Sequence, residues 1–311
     1  MSYPYYWSDN GFPYALEQTF KRVTSAQQPD EIRLFRALQY SFEELSSDFS
    51  VEVLHGNRSQ VSYSTKSSWA DPSGTEQCEL CDLLIVSFRA KPFALRMTCL
   101  QNKADQRIGG LPDKFKADLV QLELLSVRPR IVGRLKFAPP ANLLSGALLP
   151  SIGSYGVFYR DAVGEYDMAY RIASELALPT GGRSPARQVG SLLAPPFVRV
   201  IGGHPERIGA ATLCLFAMDL AMLRIGTPLQ GHEVSGSAEH TGYRATIRKW
   251  LGGMIKARLR SVAPEYLLRA SGPSSTLLEL LGGASDDNDN LSDEGPDLVL
   301  LQIDGRMGRR T

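Results

Sequence analysis

An α/β fold is predicted by three features of the chain. An amphipathic helical pattern follows Asp30, two strand-like runs are joined by a short tip at Lys91 and Pro92, and a second helical pattern follows Pro112. Helix, strands and helix in that order make a mixed sheet covered by helices the expected architecture. The chain has 311 residues, 43% of them hydrophobic, which is enough to build a sizeable core.

The first clear element begins at Pro29 and Asp30, a good capping position, and continues through EIRLFRALQYSFEEL. Leu34, Phe35, Leu38, Phe42 and Leu45 fall on one stripe. The runs SVEVLHGN and RSQVSYSTKS are rich in Val, Tyr, Ser and Thr and are expected as strands. CDLLIVSF and ALRMTCLQNK flank RAKPF and form an expected antiparallel hairpin. From Pro112 the segment DKFKADLVQLELLS places Phe115, Leu119, Leu122 and Leu125 at helical spacing, with the proline near the first helical position.

Farther along, RPRIVGRLKFAPPA is basic and proline-containing, with a boundary near Pro139 and Pro140. SYGVFYRD is expected as a strand and EYDMAYRIASELAL as a helix. Pro179 to Pro196 reads as a loop leading to the strand FVRVIGG. The apolar stretch Gly209 to Leu223, interrupted by Asp219 and bracketed by Arg207 and Arg224, reads as a buried helix too short and too polar to span a bilayer. Thr241 to Ser261 is basic and helical in pattern, though Gly252 and Gly253 weaken it. The acidic GGASDDNDNLSDEGPD has a linker's composition, and LVLLQID is able to return as a strand. Three segments result: 1–138 as a core, 139–282 as a mixed α/β C-terminal region, and 283–311 as an acidic linker with a terminal segment.

A net formal charge of +1 excludes a wholly basic nucleic-acid wrapper and an acidic disordered chain, so any charged partner must meet a local patch. Four cysteines are too few for a disulfide framework, and the start MSYPYYWSDN lacks the pattern of a signal peptide. The expected location is therefore cytoplasmic, with no membrane partner.

The candidate chemistry lies on the hairpin. A tip centred between Lys91 and Pro92 puts Asp82 opposite Gln101. Strand alternation then gives Gln101 and Lys103 one face and turns Asn102 to the other. An acidic group, an amide oxygen and an ammonium converge there, a set able to hold a hard cation and orient a water. On the preceding helix Glu31 lies roughly 20° from Leu38, within the apolar stripe, whereas Glu43 and Glu44 point away. A carboxylate on that stripe needs a partner, which makes Glu31 the candidate further ligand.

These residues resemble the PD-(D/E)xK nuclease superfamily, and within it the Mrr-like restriction endonuclease branch, where glutamine often replaces the acid before the lysine. The likeness spans roughly residues 29 to 127. It rests on Glu31 in a helix, Asp82 in CELCDLLIV, Gln101-Asn102-Lys103 at a strand end, and a helix carrying Lys114 and Gln121. The Pro-Asp pair usual in that family is absent, since Asp82 follows Cys81. The resemblance implies a restriction-endonuclease-like core and magnesium (or manganese) held by Asp82, Gln101, the Asn102 carbonyl and Glu31. It also implies Lys103 positioning the attacking water during DNA cleavage, in restriction or antiviral defence. A non-catalytic nuclease-fold subunit that binds nucleic acid or docks a partner is the alternative.

Other patterns carry less. Cys78 and Cys81 form a CxxC without a second pair, with Cys99 on the partner strand, and buried thiols explain them better than zinc. The clusters GGRS and IGGHPERIG lack a phosphate-loop lysine, and Ser235, Ser237 and His240 lack a nucleophile elbow. Arg244, Arg248, Lys249, Lys256, Arg258 and Arg260, interleaved with Tyr243 and Trp250, form the densest basic patch and the expected DNA contact. Further expected partners are a docking protein or activator and a second copy of the chain.

Overall fold

The structure, a computed structural model, describes residues 11–25, 29–65, 74–176, 187–188, 198–230, 238–262, 272–282 and 293–303. In chain order the elements begin with helices α1 (Phe12–Thr24) and α2 (Glu31–Glu44). Strands β1 (Val51–Leu54), β2 (Gln60–Ser64), β3 (Thr75–Glu79), β4 (Leu83–Arg89), β5 (Ala94–Ile108) and β6 (Lys116–Ala117) follow. Next come α3 (Leu119–Val127), β7 (Ile131–Gly133), β8 (Gly153–Arg160), β9 (Tyr166–Ile172), β10 (Arg187–Gln188), β11 (Val198–Ile201), β12 (His204–Arg207) and β13 (Gly209–Ala210). The last are α4 (Leu213–Ala221), β14 (Thr227–Pro228), α5 (Ala238–Val262), α6 (Pro273–Leu280) and β15 (Asp297–Gln302).

A mixed sheet in the order β1-β15-β4-β5-β8-β9-β13 forms the centre, with β14 on the early part of β5. Its strands come from all three segments of the chain, and β15 lies between β1 and β4. β15 runs parallel to β4 and β8 parallel to β5, while the β4/β5 and β8/β9 pairs are antiparallel hairpins. One sheet face packs Leu83, Ile85, Leu100, Phe158 and Val299 against α1, α2 and α4. The other packs Leu84, Val86, Cys99, Tyr155 and Leu300 against α3, α5 and α6. Burial on both faces is the dominant stabilisation such a three-layer arrangement offers. None of the described helices is long and apolar enough to cross a membrane.

The hairpin forms with the expected register: Leu83 faces Leu100 and Arg89 faces Ala94, around a tip with a cis Lys91–Pro92 peptide. α2 starts where its cap predicts, the Asp30 carboxylate accepting from the Arg33 N–H at 2.8 Å. α1, for which no element was expected, carries Phe12, Leu16 and Phe20 at i, i+4 and i+8 with Pro13 in its first turn.

Three expectations are corrected. EYDMAYRIASELAL is not a helix: Tyr166–Ile172 is β9, buried along its whole length, and burial on both faces erases the alternation that marks a strand. The helix expected from Pro112 begins only at Leu119. Asp118 caps it by accepting from Gln121 N–H at 3.1 Å, while Phe115 packs on Tyr155 from outside the helix and Lys114 is exposed in the preceding loop. In the apolar stretch Gly209 to Leu223, only Leu213–Ala221 is helical, because Gly209 and Ala210 pair with β9. Asp219 within that helix is fully buried and is held by Arg207 at 2.5 Å and Arg224 at 3.4 Å.

α5 continues through Gly252 and Gly253, with Leu251, Met254 and Ile255 buried beside them, so packing outweighs their low helix propensity. IGGHPERIG supplies the tip and second strand of the β11/β12 hairpin, whose tip glycines Gly202 and Gly203 have φ of 56° and 79°. Most of the loop from Pro179 to Pro196 (including GGRS), Ser235, Ser237, the His240 side chain and the acidic linker at 283–292 lie outside the described residues.

Candidate active site

The hairpin register ends at Leu83, and Asp82 is the residue just before β4. Its N–H still donates to the Leu100 carbonyl at 3.2 Å, so the ladder's last bond fixes Asp82 beside Gln101. β5 continues past that point, and its polar groups on the edge β4 has vacated need other partners. Two carboxylates supply them. Asp82 Oδ2 accepts from Asn102 N–H at 2.7 Å, and Glu31 Oε2 accepts from Ala104 N–H at 3.3 Å. These N–H groups are two residues apart, roughly 6.5 Å along the strand, and alternation aims the Asn102 carbonyl at the same edge.

Lys103, between them, reaches Glu31 Oε1 with its Nζ at 2.8 Å. The pair is partly exposed, the Lys103 side chain retaining 18% of its accessibility and the Glu31 side chain 44%. Glu31 thus closes the end of the α2 stripe against the β5 edge. Glu43 and Glu44 turn elsewhere, to His55 and Arg22.

Gln101 has an anchored orientation. Its Nε2 donates to Asp82 Oδ2 at 2.9 Å, and its Oε1 accepts from Gln121 Nε2, which also donates to the Glu79 carbonyl at 3.1 Å. Both ends of this chain are acceptors only, a carboxylate and a peptide carbonyl, so swapping either amide's nitrogen and oxygen would face oxygen with oxygen. The Gln101 oxygen therefore points to α3, and its amide group clamps Asp82.

Burial raises the Asp82 carboxyl from 3.8 to about 6, opposed by the Asn102 N–H, the Lys103 charge and the Gln101 amide, and aided by Glu79. On the opposite side of β5 the Asn102 side chain is buried beside Gly156, and neither of its polar atoms has a partner. The residues expected to converge, Glu31, Asp82, Gln101, Asn102 and Lys103, do so. Of the two expected on the following helix, Lys114 lies in the loop before α3 and Gln121 enters as the support of Gln101.

For a hard cation the fitting donors are the Asp82 and Glu31 carboxylates and the Asn102 carbonyl, all oxygens. The Gln101 oxygen is engaged with Gln121. Among the described residues no three His, Cys, Asp or Glu side chains gather as a metal group. Cys78, Cys81, Cys99 and Cys214 are free thiols. Burial pushes Cys78 up to about 12 and Cys81 well above the usual thiol range, Cys81 being further raised by hydrogen bonding with the Cys99 thiol.

The basic residues of α5 divide. Lys249 and Arg260 are exposed, and Arg244, Arg248 and Lys256 are half-buried. Arg258 is enclosed in the core layer, donating to the Leu54 carbonyl at 3.0 Å and the Pro296 carbonyl at 2.6 Å. Tyr243 and Trp250 are core residues, with Tyr243 Oη donating to the Leu143 carbonyl at 2.9 Å. Sequence spacing alone groups all six cations, whereas 100° steps put Arg258 with Ile247 and Leu251 on the inward face.

No protein-family model, no curated protein and no solved structure matches the chain.

Proposed function

We propose that the chain is a metal-dependent nuclease that cleaves DNA phosphodiester bonds, with a restriction-endonuclease-like core of the PD-(D/E)xK type. The observation that carries this reading is the bracketing of Lys103. Asp82 and Glu31, from elements far apart in sequence, bond the backbone on either side of it at one vacated strand edge. A structural ion pair at a hairpin end needs one acid, not two with a carbonyl between them.

In this reading Asp82, Glu31 and the Asn102 carbonyl would hold a magnesium or manganese ion, which would supply Lewis-acid polarisation of the phosphate. Lys103, already at the edge, orients the attacking water and stabilises charge developing on the phosphoryl oxygens. Gln101 and Gln121 fix the Asp82 carboxylate. The Asp82 carboxyl, raised to about 6, is ionised at neutral pH and ready to accept a cation. Lys249 and Arg260, exposed on a helix of the layer that covers the Asp82 and Gln101 face, supply phosphate contacts. A role in restriction or antiviral defence follows from the family resemblance.

A second reading, a non-catalytic nuclease-fold subunit that binds nucleic acid or docks a partner, is favoured by the Gln101 chain, which satisfies Asp82 without any cation. Incubation of the protein with plasmid DNA and magnesium separates the two, with Asp82→Ala and Lys103→Ala alongside. Cleavage by the wild type and loss in both variants supports the nuclease. Cleavage equal in all three removes this site from the chemistry, and salt-sensitive DNA binding without cleavage favours the subunit.

A further inference from the structure

Where the end of α1 meets the start of α2, Val23, Thr24, Pro29, Arg33, Arg36 and Tyr40 line a cavity of about 350 Å³, with Ala37 in its wall. That volume lies within the range of about 300–1,000 Å³ typical of small-molecule sites. Among the described residues its lining contains two cations and no acid. Arg33 and Arg36 are exposed and three residues apart, so their side chains leave the same helix face about 5–6 Å from each other. Guanidinium groups so placed can grip one phosphate from two directions. Tyr40, 51% exposed, stands one turn farther along the same face.

Glu44, one turn beyond Tyr40 on α2, is paired with Arg22, so its carboxylate is engaged. Pro29, Val23 and Ala37 give an apolar wall. A phosphate at the arginines would thus carry its organic part toward an aromatic ring and apolar carbon. A planar base has the chemistry for that position, because every base offers a face on which an aromatic ring can stack.

We propose that this groove binds a nucleoside monophosphate unit, either as a free nucleotide or as one residue of a single strand. The phosphate is held by Arg33 and Arg36, and the base lies on Tyr40. The groove lies on the side of α2 opposite Glu31, roughly 140–200° around the helix, so it is separate from the candidate active site.

The full chain, kept in chelator so that no cleavage intervenes, is titrated with a fluorescent nucleoside monophosphate and with a short labelled single-stranded oligonucleotide. The wild type is expected to bind, with inorganic phosphate competing. Arg33→Ala/Arg36→Ala should weaken the bound probe by at least about tenfold and Tyr40→Ala by a smaller factor. Capture of the mononucleotide identifies a free nucleotide as the ligand, and capture of the oligonucleotide alone identifies a strand. Binding of neither probe overturns the proposal. So does absence of phosphate competition, a readout that needs no variant, or affinity within about twofold in the double variant. Because the measurement excludes metal, failure of the nuclease reading leaves its outcome unchanged.

Discussion

Gln101 donates its amide to the Asp82 carboxylate at 2.9 Å and turns its own oxygen to Gln121. A glutamine at this position acts as a clamp on the acid before β4, where a glutamate would act as a second acid. The functional consequence depends on charge. With one carboxylate at the end of the hairpin and another on α2, the site has less negative charge to offer a cation than a site with three.

Gln101→Glu tests that account. The variant places two carboxyl groups within hydrogen-bonding reach, so without a cation they must share a proton or repel. Urea unfolding in chelator should show a loss of about 1–3 kcal/mol relative to wild type, with much of it restored by magnesium. Equal losses with and without magnesium would mean that no cation binds beside Asp82.

The raised Asp82 carboxyl predicts a pH dependence with a definite sign. The fold binds this proton more tightly than the unfolded chain does, at about 6 against 3.8. Its contribution to stability is therefore complete below pH 3.8 and is lost as pH rises through about 6. The shift corresponds to at most about 3 kcal/mol. Asp82→Asn keeps an acceptor for Asn102 N–H and Gln101 but never ionises. Its stability should exceed that of wild type above pH 6 and converge with it below pH 4, read by denaturant unfolding across that range. A difference constant with pH would reject burial as the cause. The same variant should lose cleavage, separating stability from activity.

Lys103 and Glu31 make opposite demands on the two measurements. Their pair is partly exposed, so Glu31→Gln, which keeps an oxygen for Ala104 N–H, should change stability by under about 1 kcal/mol while weakening cation binding. Lys103→Met retains the aliphatic stem and removes the charge. Cleavage should fall by about 10²–10³ with DNA affinity nearly unchanged. Wild-type cleavage by Lys103→Met would discard the proposed role.

The hairpin was legible because a Lys-Pro tip between two apolar runs fixes the sum of paired positions, and Asp82 opposite Gln101 follows from counting. Glu31 was legible from its angle on α2. The orientation of Gln101 was not, since amide direction is decided by Gln121 and the Glu79 carbonyl, contacts made only after α3 packs on the sheet. β9 was hidden for a different reason: with both faces buried, Tyr166–Ile172 has no polar alternation, and its composition suits a helix equally well. LVLLQID was recognised as a possible strand. Its insertion between the edge strand β1 and β4 is a long-range pairing that no local pattern encodes.

Arg258 and Lys249 illustrate how two cations of one basic run diverge. Arg258 joins α5 to the Leu54 and Pro296 carbonyls in a buried setting that lowers its guanidinium to about 10, so it is a structural tie between the helix layer, the end of β1 and the residue before β15. Arg258→Ala leaves two enclosed carbonyls without donors and a cavity, and should cost about 3–5 kcal/mol, seen as a lowered melting temperature. Lys249→Ala removes an exposed charge and should leave the melting temperature within a degree or two of wild type by its small stability effect of about 0.5 kcal/mol or less. Its DNA affinity should fall and depend less steeply on salt, by about one unit of the logarithmic slope. If Lys249→Ala left the salt dependence intact, the exposed stripe of α5 would not be a phosphate contact. DNA binding would then have to be sought on another face, with the α2 groove the first to test.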